Sequence, residues 1–180
     1  TECGYGLVSV LEGGLNEWRK QGRPTASGVN VPSKAFGEKV QHERRIPEIT
    51  PEELRRLKEG AGDIVILDMR TPEEYARFCI PGGINVPGGD VILWAEELRR
   101  KPDKTVVVNC AGRTRSIIGT AALRRLGLDN VRALRNGTMG WVLAGFDLES
   151  KPSRESSSVS AASREKATAH ALRLAEEEGI

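Results

Sequence analysis

The clearest chemical signal in the chain is one cysteine in the stretch "VVVNCAGRTRSIIG", residues 106–119. The β-branched run before Cys110 predicts a buried strand, and the residues after it predict a short loop and then a helix. In an open α/β sheet, ligands gather at the carboxyl ends of the strands, where this cysteine would lie. A cysteine attacks other groups as its thiolate, which helix N-termini and nearby cations stabilise. We therefore expect Cys110 to be a reactive nucleophile, although a buried structural cysteine is the common alternative.

The loop after Cys110 has the properties of an anion-binding segment. It is short enough for consecutive backbone N–H groups to point inward, and the following helix directs its positive end to the same place. Two arginines add formal positive charge. The predicted binding residues are those that follow the cysteine: Ala111, Gly112, Arg113, Thr114, Arg115 and Ser116.

Composition excludes several other kinds of function. The 27 basic and 25 acidic residues leave a net charge of +2, so no basic field points to nucleic acid or an anionic membrane. The apolar runs are too short to span a bilayer. The three cysteines, Cys3, Cys79 and Cys110, are odd in number and widely spaced, which argues against a disulfide framework and fits a reducing, cytoplasmic compartment. No zinc-ligand spacing is present, so neither a metal nor another cofactor is predicted.

Two segments of the chain repeat one pattern. Residues 8–22 read "VSVLEGGLNEWRKQG" and residues 131–145 read "VRALRNGTMGWVLAG", with Trp18 and Trp141 in register at an offset of 123 positions. A valine, a leucine and two glycines also coincide, which favours a duplication over two unrelated strand–turn–helix units. Residues 1–24 would then be the last strand and helix of a preceding domain. The chain also lacks an initiator methionine, so we expect it to be part of a longer protein.

The rest of the chain divides by composition and periodicity. A polar connector is predicted over 25–45, and a complete domain over 46–149. Helical patterns and short buried strands alternate within this domain, which predicts an open, mostly parallel sheet with helices on both faces. The Ser-rich segment 150–163 is predicted to be a linker, and 164–180 a helix that leads into a possible further domain.

Three separated blocks of this domain resemble the rhodanese (sulfurtransferase) family: "ILDMRTPEEYARFCIPGGINVP", "VVVNCAGRTRSIIGTAAL" and "LRNGTMGWVLAG". The resemblance implies a five-stranded rhodanese-like fold and a catalytic cysteine at Cys110, with the loop from Cys110 to Arg115 cradling the transferred sulfur and its anionic donor. It also implies that Asp68 and Arg70 form a supporting ion pair. Tandem domains are usual in the family, in agreement with the internal repeat.

One departure from the family pattern introduces a second thiol near the expected site. Family members often have Gly-His-Ile where this chain has Phe78-Cys79-Ile80. The absent histidine removes a polar group from the rim of the pocket. Cys79 is then either a resolving thiol or, as free cysteines usually are, a small apolar packing residue.

The reaction expected from this site is a double displacement through a Cys110 persulfide. The partners would be a small sulfur-donor anion, a thiol or cyanide acceptor, and neighbouring rhodanese-like domains of the same chain. A non-catalytic docking module is the main alternative. A phosphatase or arsenate reductase is less favoured, because phosphatases of this architecture place arginine sixth after the cysteine, where this chain has Ser116.

Overall fold

The structure, a computed structural model, describes residues 9, 11–25, 32–60, 63–150 and 159–178. Most of the strand predicted within residues 1–13 therefore lies outside the described residues. The described elements form one sheet with helices around it, and they place Cys110 directly after a central strand.

The sheet has five strands in the order β1-β5-β4-β2-β3, and every neighbouring pair is parallel. This confirms the predicted open α/β fold. At the carboxyl end of the central pair, Asp68 of β2 lies beside Asn109 of β4. The strands are β1 (Glu48–Ile49), β2 (Ile64–Asp68), β3 (Ile84–Asn85), β4 (Thr105–Asn109) and β5 (Val131–Leu134).

Helices cover both faces of this sheet. Along β4, Val106 and Val108 pack into one core with α5 and α6, while Val107 points to the opposite core, which contains Trp141 of α7. The helices are α1 (Gly14–Lys20), α2 (Pro32–Arg44), α3 (Pro51–Glu59), α4 (Pro72–Arg77), α5 (Ala95–Arg99), α6 (Thr114–Arg125), α7 (Gly137–Leu143) and α8 (Ala161–Glu178). A 3₁₀ helix (Gly88–Trp94) precedes α5 directly.

The repeated Thr-Pro-Glu-Glu sequence starts two helices in the same way. Thr50 and Thr71 are the N-cap residues of α3 and α4, and each accepts a hydrogen bond from the backbone of the glutamate three positions later. That glutamate, Glu53 or Glu74, accepts one from the backbone of its N-cap residue. This capping box fixes the start of α4 and, with it, the position of Glu74 near the predicted site.

The polar segment 25–45 contains a helix, which corrects the prediction of a linker there. Helix α2 covers 32–44 and packs against α6. Gly37 permits close contact, because a Cβ at this position would lie 3.0 Å from Cγ2 of Thr114. Val40 also packs against the small core of Ile46 and Ile117. Composition alone does not predict this contact, because many residues of α2 are charged.

The C-terminal helix begins at Ala161, three residues before the predicted start. Residues 151–158 of the predicted linker lie outside the described residues. Ser163 is buried against α5, and its hydroxyl donates to Oε1 of Glu97 at 3.0 Å. Helix α8 is the longest described helix, and no described helix combines the length and apolarity needed to cross a membrane. A further domain beyond α8 stays a prediction.

The repeated segments have the same local conformation. Helices α1 and α7 are both seven residues long, and their bounds differ by the offset of 123 positions seen in the sequence. Trp18 donates from Nε1 to the carbonyl of Pro24 at 2.9 Å, and Trp141 donates from Nε1 to the carbonyl of Asp147 at 2.9 Å. This agreement supports the duplication, while the assignment of residues 1–24 to a preceding domain stays a prediction.

The two tryptophans differ in their surroundings. Trp141 is fully buried between β4, β5 and α3, whereas no residue of α1 is buried.

Trp141→Ala should therefore cost about 3–5 kcal/mol of folding free energy, because it opens a large cavity. Trp18→Ala is the matched control and should cost less than about 1 kcal/mol. Urea unfolding of both variants measures the difference. Equal losses would contradict this account of α1.

Candidate active site

Cys110 lies immediately after β4, at the carboxyl end of the sheet. Its side chain is 2% exposed, and Sγ lies 3.6 Å from Oγ of Ser116. Ser116 is itself oriented, because its hydroxyl donates to the carbonyl of Arg113 at 2.8 Å. Strand β4 therefore positions the thiol at the edge where ligands bind in sheets of this kind.

The first turn of α7 sets the shape of the loop after Cys110. The amide of Thr138 donates to the carbonyl of Cys110 at 2.8 Å, and the amide of Met139 donates to the carbonyl of Ala111 at 3.0 Å. In a planar trans peptide the C=O and the next N–H point in opposite directions. The amides of Ala111 and Gly112 therefore point away from α7.

The loop amides are available to a bound group. Within the described part of the chain, the N–H groups of Ala111, Gly112 and Arg113 donate to no protein group. Helix α6 begins at Thr114, and the first amides of a helix have no partner within it. Consecutive amides of this kind form a cradle for a negatively charged atom, as the sequence analysis expects.

Gly137 allows the loop to approach α7. Its φ is +54°, and a Cβ would lie 2.2 Å from the carbonyl oxygen of Cys110 and 2.5 Å from that of Gly112. Its counterpart in the repeat, Gly14, has a similar φ of +59° but no atom within 4 Å of a built Cβ, so the repeat could not reveal the contact.

A buried polar network joins the ends of β2 and β4 to α7. Asp68 and Arg70 are both buried, with Nη2 of the arginine 2.8 Å from Oδ2 of the aspartate. Asn109 donates from Nδ2 to Oδ2 of Asp68 at 2.9 Å and to the hydroxyl of Thr138 at 3.0 Å. Arg70 also donates to the carbonyl of Phe78 at 2.7 Å. The resemblance pointed to Asp68 and Arg70, but not to Asn109 or Thr138, which complete the connection.

The two loop arginines are paired with carboxylates of the protein. Arg115 donates from both terminal nitrogens to Glu74, at 2.7 and 2.9 Å. These hydrogen bonds lower the pKa of Glu74 to about 2 and raise the pKa of Arg115. Nε of Arg113 lies 3.5 Å from both Glu38 and Glu48. The positive charge expected at the loop is therefore largely compensated within the protein.

Two cavities flank the loop. One of about 440 Å³ is lined by residues that include Phe78, Ala111, Thr138 and Met139. The other, of about 380 Å³, is lined by the predicted binding residues Gly112, Arg113 and Thr114 together with Asn136 and Met139. Met139 thus lines both of the openings beside the loop that follows Cys110.

Cys79 is fully buried. Its backbone forms an antiparallel bridge with Glu149, with both N–O distances at 2.8 Å. Complete burial is typical of a cysteine that serves as a small apolar packing residue. The structure therefore favours packing over a resolving thiol.

With this geometry in place, comparisons identify the family. A model of the rhodanese-like domain matches residues 50–144. A thiosulfate sulfurtransferase structure from Pseudomonas aeruginosa is 47% identical, with a TM-score of 0.79, and covers 99% of this chain. The match spans only 34% of that longer chain. The chain described here therefore belongs to the rhodanese-like domain family.

Two shorter relatives have different descriptions. A sulfurtransferase of Allochromatium vinosum is 29% identical over 103 residues, which are 57% of this chain and 94% of that protein. A Rhodopseudomonas palustris protein of unknown function, described as a possible tyrosine phosphatase, is 27% identical with a TM-score of 0.56. That match covers 70% of this chain and all of the other. The family, the Pseudomonas aeruginosa structure and the Allochromatium vinosum relative support a sulfurtransferase-type role.

The close contact at Gly137 can be tested by stability. Gly137→Ala should cost about 2–4 kcal/mol, because a methyl group would overlap the loop carbonyls in addition to the strain of a positive φ. Gly127→Ala is the matched control, since Gly127 has a φ of +83° and no atom within 4 Å of a built Cβ. It should cost only about 1 kcal/mol. Similar losses in urea unfolding would argue against the contact.

The pair of Glu74 and Arg115 should give stability a defined pH dependence. The folded-state pKa of Glu74 is lowered from 4.5 to about 2, so the contribution of the pair is complete above pH 4.5 and is lost as pH falls through 2. Both side chains are 38% exposed, which limits this contribution to about 1 kcal/mol. Glu74→Gln keeps a capping side chain for α4 and removes the charge.

The difference in unfolding free energy between the wild type and Glu74→Gln should shrink between pH 4.5 and 2. Urea titrations at several pH values measure this difference. Glu59→Gln controls for removal of one surface carboxylate, since Glu59 pairs with Arg55 on the surface of α3. A wild-type advantage that stays constant with pH would contradict the assignment.

Proposed function

We propose that this chain is a sulfurtransferase in which Cys110 carries a sulfur atom as a persulfide. The observation that supports this most strongly is the loop geometry. Cys110 is followed by three amides, those of residues 111–113, that have no protein acceptor within the described part of the chain. A persulfide places its negative charge on the outer sulfur, which such amides stabilise as they would an oxyanion.

In the first half-reaction, the Cys110 thiolate attacks the outer sulfur of a donor such as thiosulfate or another persulfide. A new S–S bond forms to Sγ, and the bond between the donor's sulfur atoms breaks. With thiosulfate, sulfite leaves with the electron pair of that bond. Charge and electrons balance in this step, because a thiolate and the thiosulfate dianion become a persulfide anion and the sulfite dianion.

In the second half-reaction, an acceptor attacks the outer sulfur of the persulfide. The Cys110 thiolate is the leaving group, so the protein returns to its starting state. A thiolate acceptor becomes a persulfide, and cyanide becomes thiocyanate. Arg113 and Arg115 would assist the docking of an anionic donor, although both already face carboxylates.

Two other functions remain as competing hypotheses. A phosphatase needs an arginine that grips several phosphate oxygens, and here the sixth residue after the cysteine is Ser116, whose hydroxyl bonds within the loop. The relative described as a possible tyrosine phosphatase makes a phosphate-ester assay a necessary control. A docking module without catalysis would show neither activity.

We also propose a cellular compartment for the protein and further domains beside this one. Neither Cys79 nor Cys110 forms a disulfide, which supports a reducing compartment, and we propose a cytoplasmic location. The local match of α1 to α7 supports neighbouring rhodanese-like domains in the same protein.

The persulfide can be detected directly. After thiosulfate treatment and removal of excess donor, the intact mass should increase by one sulfur atom in the wild type and in Cys79→Ala. Cys110→Ser should show no increase, because it lacks the nucleophile. Thiosulfate with cyanide should yield thiocyanate only where the adduct forms. Phosphate-ester hydrolysis without any sulfur adduct would reject the proposal in favour of the phosphatase.

A further inference from the structure

The wall of the larger cavity beside the loop carries exposed apolar side chains. Phe78, Met139 and Val142 line this cavity and are 41%, 59% and 45% exposed. Exposed apolar residues that are gathered in one place commonly mark a binding site. The volume, about 440 Å³, is in the range of sites for small molecules.

The internal repeat shows that the fold does not require apolar residues on this face. Helix α1 has the length, the left-handed first residue and the tryptophan of α7. At the positions of Met139 and Val142 it carries Asn16 and Arg19. The apolar residues are therefore specific to the helix that lies against the catalytic loop.

Among the cations near the loop, Arg77 is better placed than Arg113 or Arg115 to bind a negative group of a ligand. Arg113 and Arg115 face glutamates, so neither offers an uncompensated charge to a small dianion. Arg77 lines the same cavity as the apolar wall and takes part in none of the ion pairs formed by the described residues, while Glu74, which also lines the cavity, is neutralised by Arg115. A ligand that combines an apolar body with a negative group fits this arrangement.

We propose that the sulfur acceptor is a small organic thiol whose apolar body lies against Phe78, Met139 and Val142 and whose negative group meets Arg77. This inference rests on the proposed function and names its acceptor class. The acceptor thiolate attacks the outer sulfur of the Cys110 persulfide, forming an organic persulfide anion, and the Cys110 thiolate leaves with the electron pair. No oxidant or reductant is consumed.

A series of thiols with constant charge tests the apolar wall. Cys110 is loaded with sulfur by inorganic polysulfide or thiosulfate, the excess donor is removed, and loss of the added mass is followed in single turnovers. Mercaptoacetate, mercaptobutanoate and mercaptohexanoate serve as acceptors. The second-order rate constant should rise about two- to fourfold for each added methylene, because each one buries more apolar surface.

Variants assign the effect to residues. Met139→Asn combined with Val142→Ser should remove most of the dependence on chain length. Arg77→Gln should abolish the preference for mercaptohexanoate over the uncharged mercaptohexanol. Leu172→Ser is the control, since Leu172 is 62% exposed on α8 and does not line this cavity. It should leave both ratios unchanged.

The outcomes separate this inference from the proposed function. If Cys110 holds the sulfur but the wild type gives it to all the thiols at equal rates, the acceptor class is overturned and the sulfurtransferase proposal stands. A wild-type preference that survives in the Met139→Asn/Val142→Ser variant also overturns the assignment to this wall. If Cys110 retains no sulfur from either donor, the proposed function and this inference both fail.

Discussion

The site depends on two hydrogen bonds that the first turn of α7 donates to the carbonyls of Cys110 and Ala111. Because a carbonyl and the following amide point in opposite directions, these bonds turn the amides of Ala111 and Gly112 away from α7. The arrangement requires close contact between two backbones, and the absent side chain of Gly137 allows it. The chemistry proposed for Cys110 therefore depends on the packing of a helix that contributes no charged group to the loop.

Two sets of contacts hold α7 against the sheet and the loop. Trp141 anchors α7 in the core between the sheet and α3, while Asn109 connects β4 to both Asp68 and Thr138. Burial of the Asp68–Arg70 pair makes removal of either charge costly. Glu74 contributes to the fold and to the site, because it caps α4 and also holds Arg115. The apolar wall and Arg77 together are the basis of the organic thiol acceptor that we propose.

The secondary-structure elements that local residue patterns specify could be predicted from the sequence. The strand ending at Cys110, the short loop and the start of α6 follow from a β-branched run with a small-residue loop, and the repeat correctly located the helix at Trp18. Contacts between distant residues could not be predicted in this way. Glu74 is 41 positions from Arg115, and Asn109 is 29 positions from Thr138, so neither pairing leaves a local pattern. Helix α2 was missed because its charged face resembles a linker, although Gly37 brings it against Thr114.

The most direct test of this account is a crystal structure of the protein after treatment with a sulfur donor. The account predicts one added sulfur bonded to Sγ of Cys110 at about 2.05 Å. This sulfur should lie within about 3.5 Å of the amide nitrogens of Ala111 and Gly112, while the carbonyls of Cys110 and Ala111 keep their hydrogen bonds to α7. An added sulfur that points away from these amides, or a loop whose carbonyls have turned toward the sulfur, would contradict it.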